Sequence, residues 1–169
     1  MASRTRTLMV VLALGGLLAA GVSTYVHLQM LTDPGYLSFC DINARISCSD
    51  VYQSRYGSVA GVPVALGGVI WFVGVLLLAF AATSAPQESR TNVGGYLIVW
   101  STVGLAISMY MAYASFIVLQ TVCLLCVAVY IAVIGIFLLA GSVPATPLTN
   151  IPLAVISDLG RLLRRPVGL

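Results

Sequence analysis

Residues 121–140 read TVCLLCVAVYIAVIGIFLLA, an apolar run with two cysteines, Cys123 and Cys126, in a C-x-x-C spacing at its mouth. The part from Val122 to Ala140 is long enough to cross a bilayer as a helix, which needs about 20 apolar residues. Two cysteines three positions apart can close a small disulfide that opens easily, as thiol–disulfide exchange requires. The stretch therefore predicts a membrane helix with thiol chemistry at one end.

Three further apolar runs, Leu8–Leu28, Pro63–Thr83 and Gly94–Leu119, are also long enough to span a bilayer. Of the 169 residues, 60% are hydrophobic and 8% are charged, and the mean hydropathy of +1.04 is far above that of soluble domains. We therefore predict an all-α membrane protein, a four-transmembrane-helix bundle over residues 1–142 with an outer loop at 29–62. The eight basic residues are too few and too scattered for a nucleic-acid surface.

The arginines predict the orientation of the bundle, because short cytoplasmic segments carry an excess of basic residues. Two arginines lie in the outer loop, whereas six lie in the other connections and the termini: Arg4, Arg6, Arg90, Arg161, Arg164 and Arg165. Both termini are therefore expected in the cytoplasm and all four cysteines on the outer face, where disulfides persist. The lysine-free composition, rich in Ala, Gly and Val, indicates a bacterial plasma (inner) membrane.

The outer loop is too long for a simple connector and carries Cys40 and Cys48. Ser47, followed three residues later by Asp50, is typical of a helix start, and Cys48, Val51, Tyr52 and Tyr56 then recur at helical spacing. We predict a short amphipathic half-helix that caps the bundle with its apolar face inward. The alternative is a surface loop in which Cys40 and Cys48 form a plain structural bridge.

Only a short turn separates the third and fourth spans, so it holds the C-x-x-C at the membrane boundary. Thr121 is a plausible N-cap, which would place Cys123 and Cys126 in the first turns of the helix, where the positive dipole end favours a thiolate. Tyr130 falls on the same helix face, about 10 Å along the axis from Cys123. His27, near the outer end of the first span, is expected to be an interfacial residue.

Two segments leave alternatives open. The first span, with residues 18–21 reading LAAG, is either a cleaved secretory signal or a retained helix, and its continued apolar character favours the helix. Residues 143–169 form a cytoplasmic tail, either an amphipathic helix lying on the anionic leaflet or a disordered segment.

Two outer cysteine pairs, one of them at the mouth of a membrane helix, form a layout for passing electrons between water and lipid. Quinones are the abundant two-electron acceptors dissolved in bilayers, and the Tyr130 hydroxyl could hydrogen-bond a quinone carbonyl. The stretches that carry this layout, CDINARISCS at 40–49, SRYG at 54–57 and the later C-x-x-C-x-x-x-Y at 123–130, resemble the vitamin K epoxide reductase family. The resemblance covers the four spans and the outer loop.

The resemblance implies a four-helix bundle around a quinone of the menaquinone, ubiquinone or vitamin K type, with Cys123 and Cys126 as the active-site couple. It also implies that Cys40 and Cys48 shuttle electrons from a thioredoxin-like extracytoplasmic partner acting in trans, and that Ser54 and Tyr130 lie beside the quinone. In this scheme a partner thiolate attacks Cys40, Cys48 then attacks Cys123, and Cys126 reduces the quinone. The expected enzyme supports disulfide formation in exported proteins.

One departure from the family bears on the substrate. Animal members place an asparagine near the quinone in the second span, whereas residues 63–83 contain no Asn, Gln, Asp or His. Quinone reduction is therefore favoured over reduction of vitamin K epoxide. Two other classes compete: a four-span structural protein with two plain disulfides, and a zinc site, which the seven residues between Cys40 and Cys48 disfavour.

Overall fold

The structure, a computed structural model, describes residues 3–33, 35–84 and 87–143, together with Val155 and Gly160. Five α-helices lie in these ranges: α1 (Ser3–Thr32), α2 (Cys48–Gln53), α3 (Val64–Ser84), α4 (Gln87–Tyr113) and α5 (Leu124–Gly141). A π-helix at Ala114–Leu119 continues α4, and two short strands, β1 (Ser58–Val59) and β2 (Val62–Pro63), pair antiparallel. The expected tail lies outside the described residues from position 144 onward, apart from Val155 and Gly160.

Four helices within the described ranges are long and apolar enough to cross a membrane, namely α1, α3, α4 with its π-helical end, and α5. They contain or closely match the four predicted runs, so the predicted all-α bundle is confirmed. Helix α1 packs against α3 and α5, and α4 packs against the same two helices. The four helices therefore form a closed ring. The protein is an integral membrane protein.

Small residues let the helices approach closely in this ring. A Cβ atom at Gly16 of α1 would collide with the Phe72 ring of α3, and one at Gly104 of α4 would collide with the Trp71 indole. Without a strong hydrophobic drive between helices in lipid, such close packing supplies much of the association energy. The core that results is lined by Met9, Ala13, Phe72, Val75, Leu97 and Ile136.

Helices α3 and α4 are joined by a reciprocal pair of hydrogen bonds. The indole N–H of Trp71 donates to the backbone carbonyl of Trp100 at 2.9 Å, and the indole N–H of Trp100 donates to the carbonyl of Trp71 at 3.1 Å. Indole is a donor without an acceptor group, so each ring in lipid needs such a partner. The pair fixes the register of α3 against α4.

The end of the bundle at which α1 ends and α3 and α5 begin carries all four cysteines, and we name it the cysteine end. Helix α2 lies there, started by Ser47, whose hydroxyl accepts a hydrogen bond from the Asp50 amide at 3.1 Å. The predicted half-helix is therefore confirmed, with Cys48 and Tyr52 buried, although Tyr56 lies beyond its last residue. A two-residue turn with positive φ at Ala60 and Gly61 then joins β1 to β2, as tight hairpins require.

The turn before α5 differs from the predicted one. Helix α4 widens into the π-helix, and Gln120 then adopts a left-handed conformation with φ of 54°. The Ser115 hydroxyl donates to the Thr121 carbonyl at 2.5 Å, and the Thr121 amide donates to the Ser115 carbonyl at 3.1 Å. Thr121 is thus committed to the turn, and the N-cap predicted there is wrong: α5 is capped by Cys123.

Candidate active site

The four cysteines form two pairs in different states. Cys40 and Cys48 form a disulfide with Cα atoms 5.7 Å apart, whereas Cys123 and Cys126 are free thiols. Cys48 and Cys123 are almost completely buried, with 0% and 1% of their surfaces exposed. Cys48 and Cys123 belong to one buried cluster with Cys40, Val26 and Tyr52. Cys126 packs against this cluster. The two pairs therefore lie together in one buried site.

Backbone hydrogen bonds fix the loop pair beside the C-x-x-C. The Val122 amide donates to the Arg45 carbonyl at 2.8 Å, and the Ser47 amide donates to the Val122 carbonyl at 3.2 Å. These bonds create a short parallel bridge between Ile46 and Val122. Because Ile46 and Val122 lie two and one residues before Cys48 and Cys123, the bridge holds the start of α2 against the start of α5.

Cys123 is the N-cap of α5, and its sulfur accepts a hydrogen bond from the Cys126 amide at 3.3 Å. A hydrogen bond with the Cys126 thiol is the main reason that the pKa of Cys123 falls to about 7, and the backbone amide of Cys126 adds a smaller decrease. Burial opposes the decrease, and a hydrogen bond with the Tyr52 hydroxyl adds to it. A thiolate at a helix N-terminus is the expected nucleophile of a C-x-x-C pair.

Tyr52 connects the two pairs. Its hydroxyl lies 3.4 Å from the Cys123 sulfur and hydrogen-bonds the Ser23 hydroxyl of α1, so one phenol bridges three elements. Burial raises the pKa of Tyr52 well above its ordinary value, so the hydroxyl keeps its proton and can donate it to a thiolate. The sequence predicted the inward face of Tyr52 from its helical spacing, but it held no signal for the contacts with Ser23 and Cys123.

A cavity of about 120 Å³ lies under α2 at the cysteine end. Its wall is mostly apolar and comes from all four spanning helices, from α2 and from the π-helix. A few polar groups converge on it: Ser23, His27, Tyr52, Tyr56, Ser108, Ser115, Cys126 and Tyr130. An apolar cavity with a few placed polar groups is typical of a small-molecule site.

Cys126 and Tyr130 lie in this wall, four residues apart on one face of α5, as the sequence predicted. Cys123, predicted on the same face, is instead the extended N-cap residue before α5 and is not among the residues that line the cavity; it lies in the cluster with the loop cysteines. Ser54 is placed differently: it ends α2, and its hydroxyl donates to the Val51 carbonyl at 2.7 Å. It is not among the residues that line the cavity, so its expected contact with a quinone stays a prediction.

A second cavity, of about 420 Å³, lies between α3 and α4 and reaches the β-hairpin. It shares Val64, Gly68, Ile107, Ser108 and Val129 with the first, so the two adjoin. The first cavity alone is smaller than the roughly 300–1,000 Å³ of small-molecule sites, and the second supplies the missing space. Together the two adjoining cavities reach the volume of a small-molecule site, with Cys126 in the wall of the first and a mostly apolar lining in the second.

Two other polar residues of this end are placed by the fold. His27, expected at the interface, is instead buried with 2% of its surface exposed, because α2 covers it and the Tyr52 ring stacks on it at 5.4 Å. Asp41 accepts hydrogen bonds from the amide and the hydroxyl of Ser49 in the first turn of α2. Partial burial of Asp41 raises its pKa, but these hydrogen bonds outweigh it and lower the pKa overall.

Comparison with known proteins agrees with this geometry. The model of the vitamin K epoxide reductase family matches residues 7–140. The mouse protein "Vitamin K epoxide reductase complex subunit 1" is 29% identical over 143 residues, which cover 76% of this chain and 84% of the mouse protein. The rat protein of the same name is 28% identical over 136 residues, with the same coverage. A family match over most of the four-helix domain leaves no ambiguity: the chain belongs to the vitamin K epoxide reductase family and is a membrane oxidoreductase.

Proposed function

We propose that the protein is a membrane thiol:quinone oxidoreductase that passes electrons from a thioredoxin-like partner through its two cysteine pairs to a membrane quinone. The observation that carries this proposal is the placement of the free pair. Cys126 lies in the wall of the cavity, while Cys123 is buried against the Cys40–Cys48 disulfide. One thiol therefore faces an apolar ligand site and the other faces the second redox pair.

The electron path balances over three exchanges. The partner's dithiol reduces the Cys40–Cys48 disulfide and becomes a disulfide itself. The Cys48 thiolate then attacks Cys123 of an oxidised C-x-x-C pair, and Cys40 closes on Cys48, which leaves Cys123 and Cys126 reduced. A loop disulfide beside two free thiols, as the structure has them, is the state that this exchange would leave.

In the last exchange the two thiols of the C-x-x-C lose two electrons and two protons and close their disulfide. A bound quinone is a two-electron, two-proton acceptor and leaves as hydroquinone. Cys126 is the sulfur that adds to the quinone ring. The Cys123 thiolate, favoured by its pKa of about 7, then attacks the Cys126 sulfur, so the bond between Cys126 and the ring breaks, the Cys123–Cys126 disulfide forms and the hydroquinone leaves with both electrons. Tyr130, in the wall beside Cys126, is placed to donate a hydrogen bond to a quinone oxygen.

Arg4 and Arg6, at the start of α1, lie at the opposite end of the bundle and support a cysteine end that faces the outside of a bacterial plasma membrane. The partner would then be an extracytoplasmic thioredoxin-like protein, and the enzyme would support disulfide formation in exported proteins. This assignment follows from the positive-inside rule and from the oxidising chemistry of that compartment.

Quinone absorbance during turnover tests the proposal. Purified protein in vesicles, given a reduced thioredoxin-like protein and a short-tailed ubiquinone or menaquinone, should convert quinone to hydroquinone, and Cys126→Ala should abolish the conversion. Tyr113→Phe, on an exposed tyrosine of α4, is a control that should turn over normally. Undiminished turnover by the Cys126 variant would leave a structural role for the four cysteines instead.

The loop pair is tested by changing the reductant. Cys48→Ser should block turnover driven by the protein partner yet keep turnover driven by a small dithiol that reaches the C-x-x-C directly. Equal failure with both reductants would contradict the shuttle role of Cys40 and Cys48.

A second candidate substrate follows from the names of the mouse and rat relatives, which are reductases of vitamin K epoxide. The same two thiols could reduce an epoxide to the quinone and water, with closure of one disulfide. Supplying vitamin K epoxide in place of the quinone distinguishes the two, and the apolar α3, without Asn, Gln, Asp or His, favours the quinone.

A further inference from the structure

His27 is the single histidine of the chain, and it lies at the cysteine end of α1 in the wall of the cavity. It is 2% exposed, and its ring stacks almost parallel to the Tyr52 ring at 5.4 Å. The thiol reactions described above do not use it. A buried imidazole beside a redox pair needs an explanation, because a polar ring in an apolar wall costs free energy unless it is hydrogen-bonded.

The two ring nitrogens of His27 have different surroundings. Nε2 lies 3.3 Å from the hydroxyl of Ser58, a half-buried residue of β1. Nδ1 is buried and has no hydrogen-bond partner among the residues that the structure describes. Leaving a buried polar atom unpaired costs about 1–3 kcal/mol. Because His27 lines the cavity, a polar group of a bound ligand is the candidate partner for Nδ1.

The proton balance of quinone reduction requires a further proton donor in the site. Reduction of a quinone consumes two electrons and two protons, and both electrons come from the sulfurs. With a pKa of about 7, Cys123 has released its proton to solvent in roughly half of the molecules at neutral pH. When Cys123 reacts as the thiolate, Cys126 brings one proton, and a second proton must enter from another group.

We propose that His27 is a catalytic acid that delivers this second proton from Nδ1 to a quinone oxygen, while the Ser58 hydroxyl returns a proton from water to Nε2. The proposal rests on the quinone as electron acceptor. The thiol S–H bond of Cys126 breaks, the Cys123–Cys126 bond forms, and the proton that Cys123 had released to solvent is the one that returns through Ser58. Exchange with water after the hydroquinone leaves resets the imidazole tautomer.

The surroundings of His27 suit this role. The titratable groups that face it are Tyr52 on its ring and, across the cavity, Tyr56, Cys126 and Tyr130, with Cys123 behind Tyr52. Among the described residues that line the cavity there is no carboxylate and no arginine. His27 is therefore the one side chain of that wall whose ordinary pKa lies near neutrality.

Single-turnover kinetics test the proposal. Protein reduced beforehand with a small dithiol is mixed with a short-tailed ubiquinone, and quinone absorbance is followed in H₂O and in D₂O. His27→Phe keeps an aromatic ring for Tyr52 and removes both nitrogens, so quinone reduction should slow about 100-fold and its solvent isotope effect should change. Ser58→Ala should slow the same step less, and Thr24→Val, a buried change on the same helix outside the cavity wall, should leave it unaltered.

A second readout needs no turnover. Because the chain has one histidine, ¹⁵N-histidine labelling gives one pair of imidazole resonances. Adding the quinone to fully oxidised wild-type protein should move the Nδ1 resonance toward that of a hydrogen-bonded N–H, and Ser58→Ala should move the Nε2 resonance alone. This measurement decides the matter even if the His27 variant fails to fold.

The outcomes separate this proposal from the proposed function. Wild-type protein that does not reduce any quinone would overturn the function itself. Wild-type protein that reduces quinone, with a His27→Phe rate within about 3-fold and an unmoved Nδ1 resonance, would overturn the proton delivery and leave the function intact. Reduction of the Cys40–Cys48 disulfide by the small dithiol should proceed equally in all variants, since His27 takes no part in it.

Discussion

Replacing Tyr52 by phenylalanine removes one hydroxyl and keeps the buried ring. That hydroxyl hydrogen-bonds the Cys123 sulfur at 3.4 Å and keeps its own proton, because burial raises the pKa of Tyr52. It therefore stabilises the Cys123 thiolate as a donor. The thiol form gains much less from it, so Tyr52→Phe should raise the pKa of Cys123.

The size of the increase follows from the strength of the bond. A hydrogen bond to a charged group contributes about 1.5–3 kcal/mol, and about 1.4 kcal/mol corresponds to one pKa unit. The pKa of Cys123 should therefore rise from about 7 to between about 8 and 9 in Tyr52→Phe. The contact of Cys123 with Cys126 is the larger cause of its low pKa and stays in place, so the value should not exceed that range.

Reaction rates would report this change poorly. At pH 7 the thiolate fraction would fall from roughly one half to roughly 1–9%, but a more basic thiolate is also more nucleophilic, by roughly 3- to 8-fold over the same interval. The two effects leave a net decrease of only roughly 2- to 6-fold in exchange rate. The pKa itself must therefore be measured.

The assay uses the small number of cysteines. The chain has four, and two of them form a disulfide, so ¹³Cβ-cysteine labelling should give two titrating resonances, which a Cys126→Ser variant assigns. Tyr36→Phe, on another tyrosine that packs against the cysteine cluster, is the matched control and should titrate as the wild type does. A Cys123 midpoint in Tyr52→Phe within about 0.3 of the wild-type value would refute the reasoning, because a hydrogen bond of ordinary strength moves it further.

Three further predictions concern stability. Trp71→Phe and Trp100→Phe should each lower the free energy of unfolding in detergent by about 1–2 kcal/mol, because each removes one hydrogen bond between α3 and α4. The decrease in the double variant should be smaller than the sum of the two single decreases, because the two bonds hold the same contact and support each other. Asp41→Asn should weaken the fall in melting temperature that the wild type shows at acid pH. The lowered pKa of Asp41 means that the ionised carboxyl stabilises the fold above its ordinary pKa of 3.8, and that this stabilisation is lost as the pH falls through the pKa of the folded state. An equal fall in melting temperature in both proteins would contradict this. Gln120→Val should lower the melting temperature, because a β-branched residue at φ of 54° lowers the free energy of unfolding by about 1–2 kcal/mol. Gln120→Gly should keep the melting temperature, since glycine adopts this φ freely. Equal melting temperatures of the two variants would show that this turn is not strained.

The fold was largely predictable because lipid restricts the choices. A chain that crosses a bilayer must satisfy its backbone internally, so four apolar runs of sufficient length already predict four helices. The start of α2 was equally predictable, since Ser47 and Asp50 carry a local capping signal that needs no tertiary partner. Both features depend on residues that are close together in the sequence, so the sequence alone predicts them.

The prediction that failed at α5 shows the opposite case. Thr121 is a better N-cap than cysteine by propensity, yet the left-handed turn at Gln120 and the bonds of Ser115 draw Thr121 into the connection. The helix therefore starts two residues later, with the Cys123 sulfur in the capping position. The hydrogen bonds between Ser115 and Thr121, six residues apart, outweighed the capping preference of Thr121, and they depend on a π-helix and a left-handed residue that the apolar pattern of the sequence does not announce.

His27 was misplaced for a related reason. A histidine at the end of an apolar run is usually interfacial, and burial here depends on α2 lying over the end of the bundle. The Tyr52 ring, 25 residues away in sequence, stacks on His27. The position of the imidazole in the cavity wall depends on this long-range contact and cannot be read from the residues around His27. The sequence did contain one usable signal, the inward periodicity that places Tyr52 on the buried face of α2.

The same short helix explains why the two cysteine pairs act as one site. Cys48 is the first residue of α2 and Tyr52 lies one turn later on the same face, so the disulfide of Cys48 and the hydroxyl beside Cys123 are carried by one rigid element. Any shift of Cys48 during its exchange with Cys123 would carry Tyr52 with it, because both residues lie on α2, which is six residues long. We therefore expect the redox state of the loop pair to change the hydrogen bonding of the Cys123 sulfur, so that reduction of one pair prepares the other for attack.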